Sequence, residues 1–238
     1  MSKHLKRLAS PRAWKIPKKT AVWVTKPRPG AHAVEGALPL SVILRDYLHL
    51  AGTAREASRI VGDGAVMVDG RVVRDTKFAV GLQDVVSIVP TKQHFRMLMD
   101  RKGRLALVSI PESAAAWKLC RIEGKNTVPG GRRQLNLHDG RNVLVKEDSY
   151  QSGDVVKLRV PTQEIAGHFP FKPGAPAFIT GGAHVGEVVA VQAEIPVAAS
   201  SPNRVQCAGA TQFETIKPYV FVVGDKKAEI TPPEEVIA

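Results

Sequence analysis

The dipeptide Asp69-Gly70 constrains this chain more tightly than any other pair of residues. It stands between Val66-Met67-Val68 and Arg71-Val72-Val73, two short β-branched runs. A two-residue type I′ turn needs positive φ at both central positions, and Asp-Gly supplies that at low cost, so the stretch predicts a tight antiparallel hairpin. Upstream, Thr53 and Glu56 have the spacing of a capping box, and Ala57, Ile60 and Val61 fall on one helical face before Gly62. That face predicts a short helix running directly into the hairpin. Before it, Leu40, Ile43, Leu44, Tyr47, Leu48 and Ala51 recur at helical spacing within residues 39–52, predicting a further amphipathic helix that ends near Gly52. Residues 78–90 read as one more strand closed by Pro90. The local unit is two short helices on a small sheet.

The exposed face of the second helix carries Arg55 and Arg59 at i, i+4. Like charges at that spacing cost an isolated helix roughly 0.2–0.5 kcal/mol. An external anion bridging them turns the repulsion into attraction. The free N–H groups of a helix start favour the same ligand.

The distribution of charge agrees. The chain of 238 residues carries net +12, yet residues 1–104 hold 20 Lys and Arg against 8 acids, whereas the remainder is balanced. A polyphosphate partner explains such segregation better than solubility does. Residues 1–37 contain nine cations before the first acid, Glu35, with five prolines by residue 39. Such an arm does not bury enough surface to fold alone, and it is expected to order on a polyanion with Trp14 or Trp23 packing on a base or on protein. Lys3, Lys6, Arg7, Arg12, Lys15, Lys18, Lys19, Lys26 and Arg28 on the arm form the expected RNA-binding set, together with Arg45, Arg55, Arg59, Arg71, Arg74, Lys77, Arg101, Lys102 and Arg104. The short basic helices and hairpin suit recognition of structured RNA by shape and phosphate rather than reading of a DNA major groove.

Aromatic residues make up only 5% of the chain, which favours several small β-rich modules over one large core. From residue 95 onward strands and turns alternate, with turns at Asp100-Arg101-Lys102-Gly103, Gly130-Gly131 and Asp139-Gly140. Residues 171–191 suggest two strands around a glycine-rich loop, and the end reads as a solvated polar tail. No internal repeat stands out.

No catalytic constellation emerges. Cys120 and Cys207 are far apart and read as buried thiols in a reducing compartment. The seven histidines lack metal-ligand spacing, and His138-Asp139-Gly140 reads as a turn. The Gly181–Gly186 loop is followed by Glu187 and Val188 where a phosphate loop needs Lys and Ser or Thr. No run is apolar enough to span a membrane, and the expected location is cytoplasmic. The reading is a non-enzyme with no cofactor, metal or small-molecule substrate.

Residues 53–73 resemble the S4-type (alpha-L) RNA-binding module. Further stretches, KHLKRL (3–8), LPLSVILRDYL (38–48), VMVDGRVVRD (66–75), DVVSI (84–88), FRMLMDRKGR (95–104), KLC (118–120), DGR (139–141) and FETI (213–216), resemble in order the S4e family of small-subunit ribosomal proteins of archaea and eukaryotes. The resemblance runs to about residue 224. It implies an α+β, multi-module chain. The expected parts are a basic extension (1–37), an S4-type domain with its helix pair and sheet (38–100) and a central β domain (101–170). A KOW-type SH3-like barrel (171–215) and a terminal strand and tail (216–238) complete it. It implies a structural constituent of the small ribosomal subunit that contacts ribosomal RNA and neighbouring ribosomal proteins, an archaeal-type ribonucleoprotein component in translation. The alternatives are an RNA-modifying or RNA-processing factor carrying an S4-type domain, and a regulator acting away from the ribosome. In the glycine loop Ala183, His184, Val185 and Glu187 replace the basic residues usual in that barrel, so the loop reads as meeting protein or closing the barrel.

Overall fold

The computed structural model describes residues 4–146, 149–198 and 200–233. The architecture is α+β, predominantly β and built from several modules; the chain divides into two compact units, residues 1–98 with 104–118 and residues 99–103 with 119–238.

The first unit is organised on a five-stranded sheet in the order Arg71–Val72, Val66–Val68, Val85–Ile88, Gln93–Met99, Leu105–Ile110. Asp69 (φ 49°) and Gly70 (φ 71°) both adopt positive φ, and Val68 pairs with Arg71. This is the turn that Asp-Gly dictates. The helix Ala54–Gly62 buries Ala57 and Val61 and is capped by Thr53, whose Oγ1 accepts from the Glu56 N–H at 3.2 Å.

Three expectations need correction here. The first helix does not reach Gly52: Leu40–Val42 passes into a π turn, Ile43–Tyr47, and His49 adopts φ 52°. The Leu48 N–H reaches back to the Ile43 carbonyl, five residues away, which ends the helix early while keeping Ile43 and Leu44 fully buried. Residues 78–90 form two strands, Ala79–Gly81 and Val85–Ile88, because Gln83 takes φ 69° between them. Ala79–Gly81 then pairs with Ala37–Pro39 instead of extending the main sheet.

The arm is the third correction. Residues 4–36 are ordered against the chain itself. Leu5–Lys6 pairs with Trp23–Val24, and Trp14, Ile16 and Val24 are buried. The Leu105 N–H donates to the Ala13 carbonyl, and the Lys15 N–H to the Tyr47 hydroxyl. The arm lacks a core of its own, but segments distant in sequence supply one.

In the second unit, one sheet runs Asn142–Val145, Arg133–Leu137, Trp117–Thr127, Val155–Arg159, Ile165–Phe169, with Cys120, Ile122, Leu135, Leu137, Val156 and Leu158 as its core. Another runs Gln212–Ile216, Arg204–Ala208, Val188–Ile195, Pro176–Ile179, Val220–Val222 around Val189, Val191, Val205 and Cys207. Alternation of inward and outward residues along these strands is what the period-2 pattern requires. Both cysteines are buried and neither is in a disulfide, and burial pushes the Cys207 thiol up. The chain end is not wholly solvated: Ile230 is buried, and Lys157 pairs with Glu229. Residues 234–238 of the expected tail lie outside the described residues. No helix among the described residues is long and apolar enough to cross a membrane.

Candidate nucleic-acid interface

The helix Ala54–Gly62 presents Arg55, Ser58 and Arg59 to solvent, opposite the buried Ala57 and Val61. Arg71 and Arg74 are exposed on and after the hairpin, and Lys77 is exposed in the following turn. Among the described residues, the side chains of Arg55, Arg59, Arg71, Arg74 and Lys77 have no carboxylate partner. The Arg74 guanidinium lies within 4 Å of the Cβ position of Gly64, just beyond the helix C-terminus, where the dipole favours a cation. These cations lie on the helix, the hairpin and the turn that follows it, and no carboxylate meets their side chains among the described residues.

The helix start works differently from the sequence expectation. The Glu56 carboxylate accepts from the Gly52 N–H at 2.8 Å and from the Thr53 hydroxyl at 3.0 Å. The Gly52 N–H first, and the Thr53 hydroxyl next, hold this carboxyl below the usual range. The reciprocal cap therefore already occupies donors that an external anion would use. An anion on this face must be held chiefly by guanidinium groups.

The remaining residues of the expected RNA-binding set divide by environment. Lys6, Arg12, Lys15 and Lys19 are exposed on the arm, and Lys26 is half-buried there. Arg28 is exposed and meets Asp75 at 2.9 Å. Arg101, Lys102 and Arg104 are exposed on the turn before Leu105–Ile110. Lys3 lies outside the described residues. Three cations are turned to internal use. Arg7 is buried, donating to the Pro17 carbonyl and meeting Asp46 at 3.2 Å. Arg45 meets the same Asp46 at 2.7 Å. The Lys18 ammonium donates to Ser10 Oγ at 2.8 Å and to the Ser10 carbonyl. Arg7 as a phosphate ligand is thus a misreading, since sequence shows a cation but not the distant carboxylate that claims it.

Two alternative sites resolve into structure. The Gly181–Gly186 loop needs its glycines for space: a Cβ at Gly181 would meet the Tyr219 ring at 2.8 Å, and one at Gly186 the Asp100–Arg101 backbone at 2.7 Å. His184 stacks on Phe213 with centroids 3.8 Å apart. Cys120, His138 and Asp139 bring ligand-type atoms within 4.8 Å of one another, but each already has a protein partner. The Arg121 N–H donates to His138 Nδ1, and Asp139 takes the Arg141 guanidinium at 3.2 Å and the Cys120 thiol at 3.5 Å. A guanidinium on the carboxylate opposes a metal ion there.

A group that sequence did not single out holds the first unit together. Lys118 is fully buried, with Nζ 2.9 Å from Asp69 Oδ2 and 2.6 Å from Asp84 Oδ1. Burial alone would raise the Asp84 carboxyl; Lys118 and then His32, 3.0 Å away, hold it well below the usual carboxylate range.

Comparison with known proteins gives matches along the chain. The RS4NT (NUC023) domain matches residues 1–35, the S4 domain residues 38–86 and the ribosomal family S4e residues 91–165. The chain is 46% identical over 233 residues to "Small ribosomal subunit protein eS4" of Methanothermobacter thermautotrophicus, covering 97% of this chain and 96% of that one. The protein of the same name from Methanocaldococcus jannaschii is 44% identical over 235 residues, with 94% and 95% covered. A solved structure, ribosomal protein S4e from Thermoplasma acidophilum, superposes with a TM-score of 0.69 at 36% identity, covering 80% of this chain and 96% of that chain.

Proposed function

The chain belongs to the S4e family of ribosomal proteins, and we propose that it binds small-subunit ribosomal RNA through the Arg55–Lys77 face and the exposed cations of its arm. It is a structural constituent of the small ribosomal subunit, not an enzyme, and acts in translation on the cytoplasmic ribosome. The alternative of an RNA-modifying factor is not favoured, since the relatives carry ribosomal names along nearly the whole chain.

The observation that carries the RNA reading is the unneutralised cation set. Arg55, Arg59, Arg71, Arg74 and Lys77 are exposed on the stretch that matches the S4 domain, without a carboxylate partner among the described residues. Phosphates are the ligand such a face lacks. In this reading the short Leu40–Val42 helix with its π turn and the helix Ala54–Gly62 act as the S4-type helix pair of a domain at 38–100. Residues 1–37 are the basic extension, 101–170 a central β domain, 171–215 a KOW-type barrel and 216–238 its terminal strand and tail. Ribosomal RNA and neighbouring ribosomal proteins are the partners, with no membrane or small molecule involved.

Titration of the full chain with a small-subunit ribosomal RNA transcript across salt tests this. Contacts to roughly six to ten phosphates predict an affinity loss of about 10³–10⁵ between 50 and 200 mM salt. An affinity flat across that range would overturn the reading.

A further inference from the structure

Two tryptophans lie on the basic arm, and the structure separates them. Trp14 is 2% exposed and belongs to the core of the first unit. Trp23 is 56% exposed, the most exposed aromatic among the large hydrophobic residues described. We propose that Trp23, with Lys6 beside it, is a stacking platform for an unpaired base of RNA; this rests on the RNA-binding reading above and adds a site to it.

The geometry comes from the short ribbon of Leu5–Lys6 and Trp23–Val24. Leu5 stands opposite Val24, and Lys6 opposite Trp23. Residues directly opposite each other in an antiparallel pair share a face, with Cβ atoms about 4.5–5.5 Å apart. Val24 is buried, so its face is the inner one and the Lys6–Trp23 face is the outer one. His4 meets the Trp23 ring with centroids 5.7 Å apart at 55°, a tilted contact that leaves the indole largely open. The ribbon therefore holds a rigid aromatic face next to an ammonium whose side chain has no carboxylate partner among the described residues.

The charge of the arm that carries it selects the occupant. No acidic residue occurs before Glu35, and Lys6, Arg12, Lys15 and Lys19 are all exposed. A partner for this surface is an anion that also offers a flat apolar face. A nucleotide combines both, with the base against the indole and its phosphate within reach of Lys6. Base–aromatic stacking is tolerant of sequence and contributes substantially to single-strand binding. Leu8 and Val22 on the same arm are also exposed, and a protein partner would use such apolar side chains. Such a partner would have to bring its own carboxylates; the nucleotide already carries its charge.

The test uses the full chain and its Trp23→Phe, Trp23→Leu and Lys6→Ala variants. The probes are single-stranded oligoadenylate and a blunt RNA duplex of equal length, each bound across a salt series. Trp23→Leu is expected to weaken oligoadenylate binding roughly ten-fold with an unchanged salt slope, while Trp23→Phe retains most of the affinity. Lys6→Ala is expected to lower the slope by about 0.7, and duplex binding should be equal for parent and Trp23 variants. Oligoadenylate should also quench the part of the parent's fluorescence that Trp23→Phe lacks, a readout independent of how well the leucine variant folds. Absence of that quenching, or unchanged oligoadenylate affinity in a folded Trp23→Leu, overturns the stacking site and assigns the ribbon to protein contact. If the parent binds RNA with steep salt dependence in that case, the RNA-binding reading stands alone; if the parent shows none, that reading itself has failed.

Discussion

The ammonium of Lys118 sits 2.6 Å from a carboxylate oxygen of Asp84 and 2.9 Å from one of Asp69, and all three side chains are buried. Asp69 is the first residue of the hairpin turn, and its other oxygen accepts from the Val85 N–H at 2.9 Å. Asp84 accepts from the Gly81 N–H at 2.9 Å and from His32. One lysine thus ties the hairpin, the Ala79–Gly81 strand and the arm into one buried network. Replacing it with an apolar residue leaves two carboxylates in the interior without their cation. Lys118→Met should cost about 3–5 kcal/mol of stability, read as a drop in the chemical denaturation midpoint.

The pH dependence of that loss has a definite sign. Asp84 is held below its ordinary value, so its pairing contributes stability above the unfolded-state pKa of about 3.9, and that contribution fades as pH falls through the lower folded value. Without Lys118, burial is opposed by His32 with less help, so the folded Asp84 carboxyl rises from its lowered value. The stability gap between the parent and Lys118→Met should therefore be widest near neutrality and should narrow as pH falls through the variant's folded Asp84 value toward the parent's lower one. Denaturant melts of both proteins across acid pH measure it; a constant gap would show that Asp84 does not depend on Lys118.

The paired arginines make the opposite forecast. Arg55 and Arg59 are exposed one turn apart and touch no carboxylate among the described residues. Their double replacement by alanine removes a repulsion of roughly 0.2–0.5 kcal/mol and introduces a better helix former. The folded state should be as stable as the parent or slightly more so, while the salt slope of RNA binding falls by about two. Marked unfolding of the double variant would show that these side chains support the fold.

Local signals were legible in the sequence, and long-range ones were not. Asp69-Gly70 and Thr53…Glu56 encode their turn and cap within four residues, and both formed as read. Arg7 and Trp14 belong to a stretch with no local reason to be buried; Asp46 and Leu105–Ile110 supply it from far along the chain. Lys118 reads as one more cation until Asp69 and Asp84 are folded against it. The π turn at Ile43–Tyr47 keeps the apolar spacing of a longer helix, so periodicity alone overextends it. The exposure of Arg55, Arg59, Arg71, Arg74 and Lys77 was legible because it follows from the local helix and hairpin pattern.

Two glycines separate backbone conformation from close packing. Gly186 and Gly130 have nearly equal φ, 84° and 86°, but only Gly186 faces a neighbour: its Cβ would sit 2.7 Å from the Asp100–Arg101 backbone, whereas Gly130 has nothing within 4 Å. Alanine at either costs about 1–2 kcal/mol for the left-handed conformation. At Gly186 a further 1–3 kcal/mol, approximately, is expected because main-chain atoms cannot step aside. Equal losses in the two variants, measured by denaturation, would mean that the loop containing Gly186 shifts freely.

Arg7 and Lys19 lie on the same basic arm and should respond differently to removal. Lys19 is exposed, and no carboxylate meets it among the described residues. Arg7 is buried against Asp46 and the Pro17 carbonyl, where charged hydrogen bonds are worth roughly 1.5–3 kcal/mol each. Arg7→Ala should lower stability by about that amount, with loss of RNA affinity following only as the arm detaches. Lys19→Ala should leave stability within about 0.5 kcal/mol of the parent and reduce the salt slope by about one. Measuring melting and salt-titrated RNA binding on the same two preparations separates the roles. A stable Arg7→Ala with a reduced salt slope would return Arg7 to the RNA-contacting set.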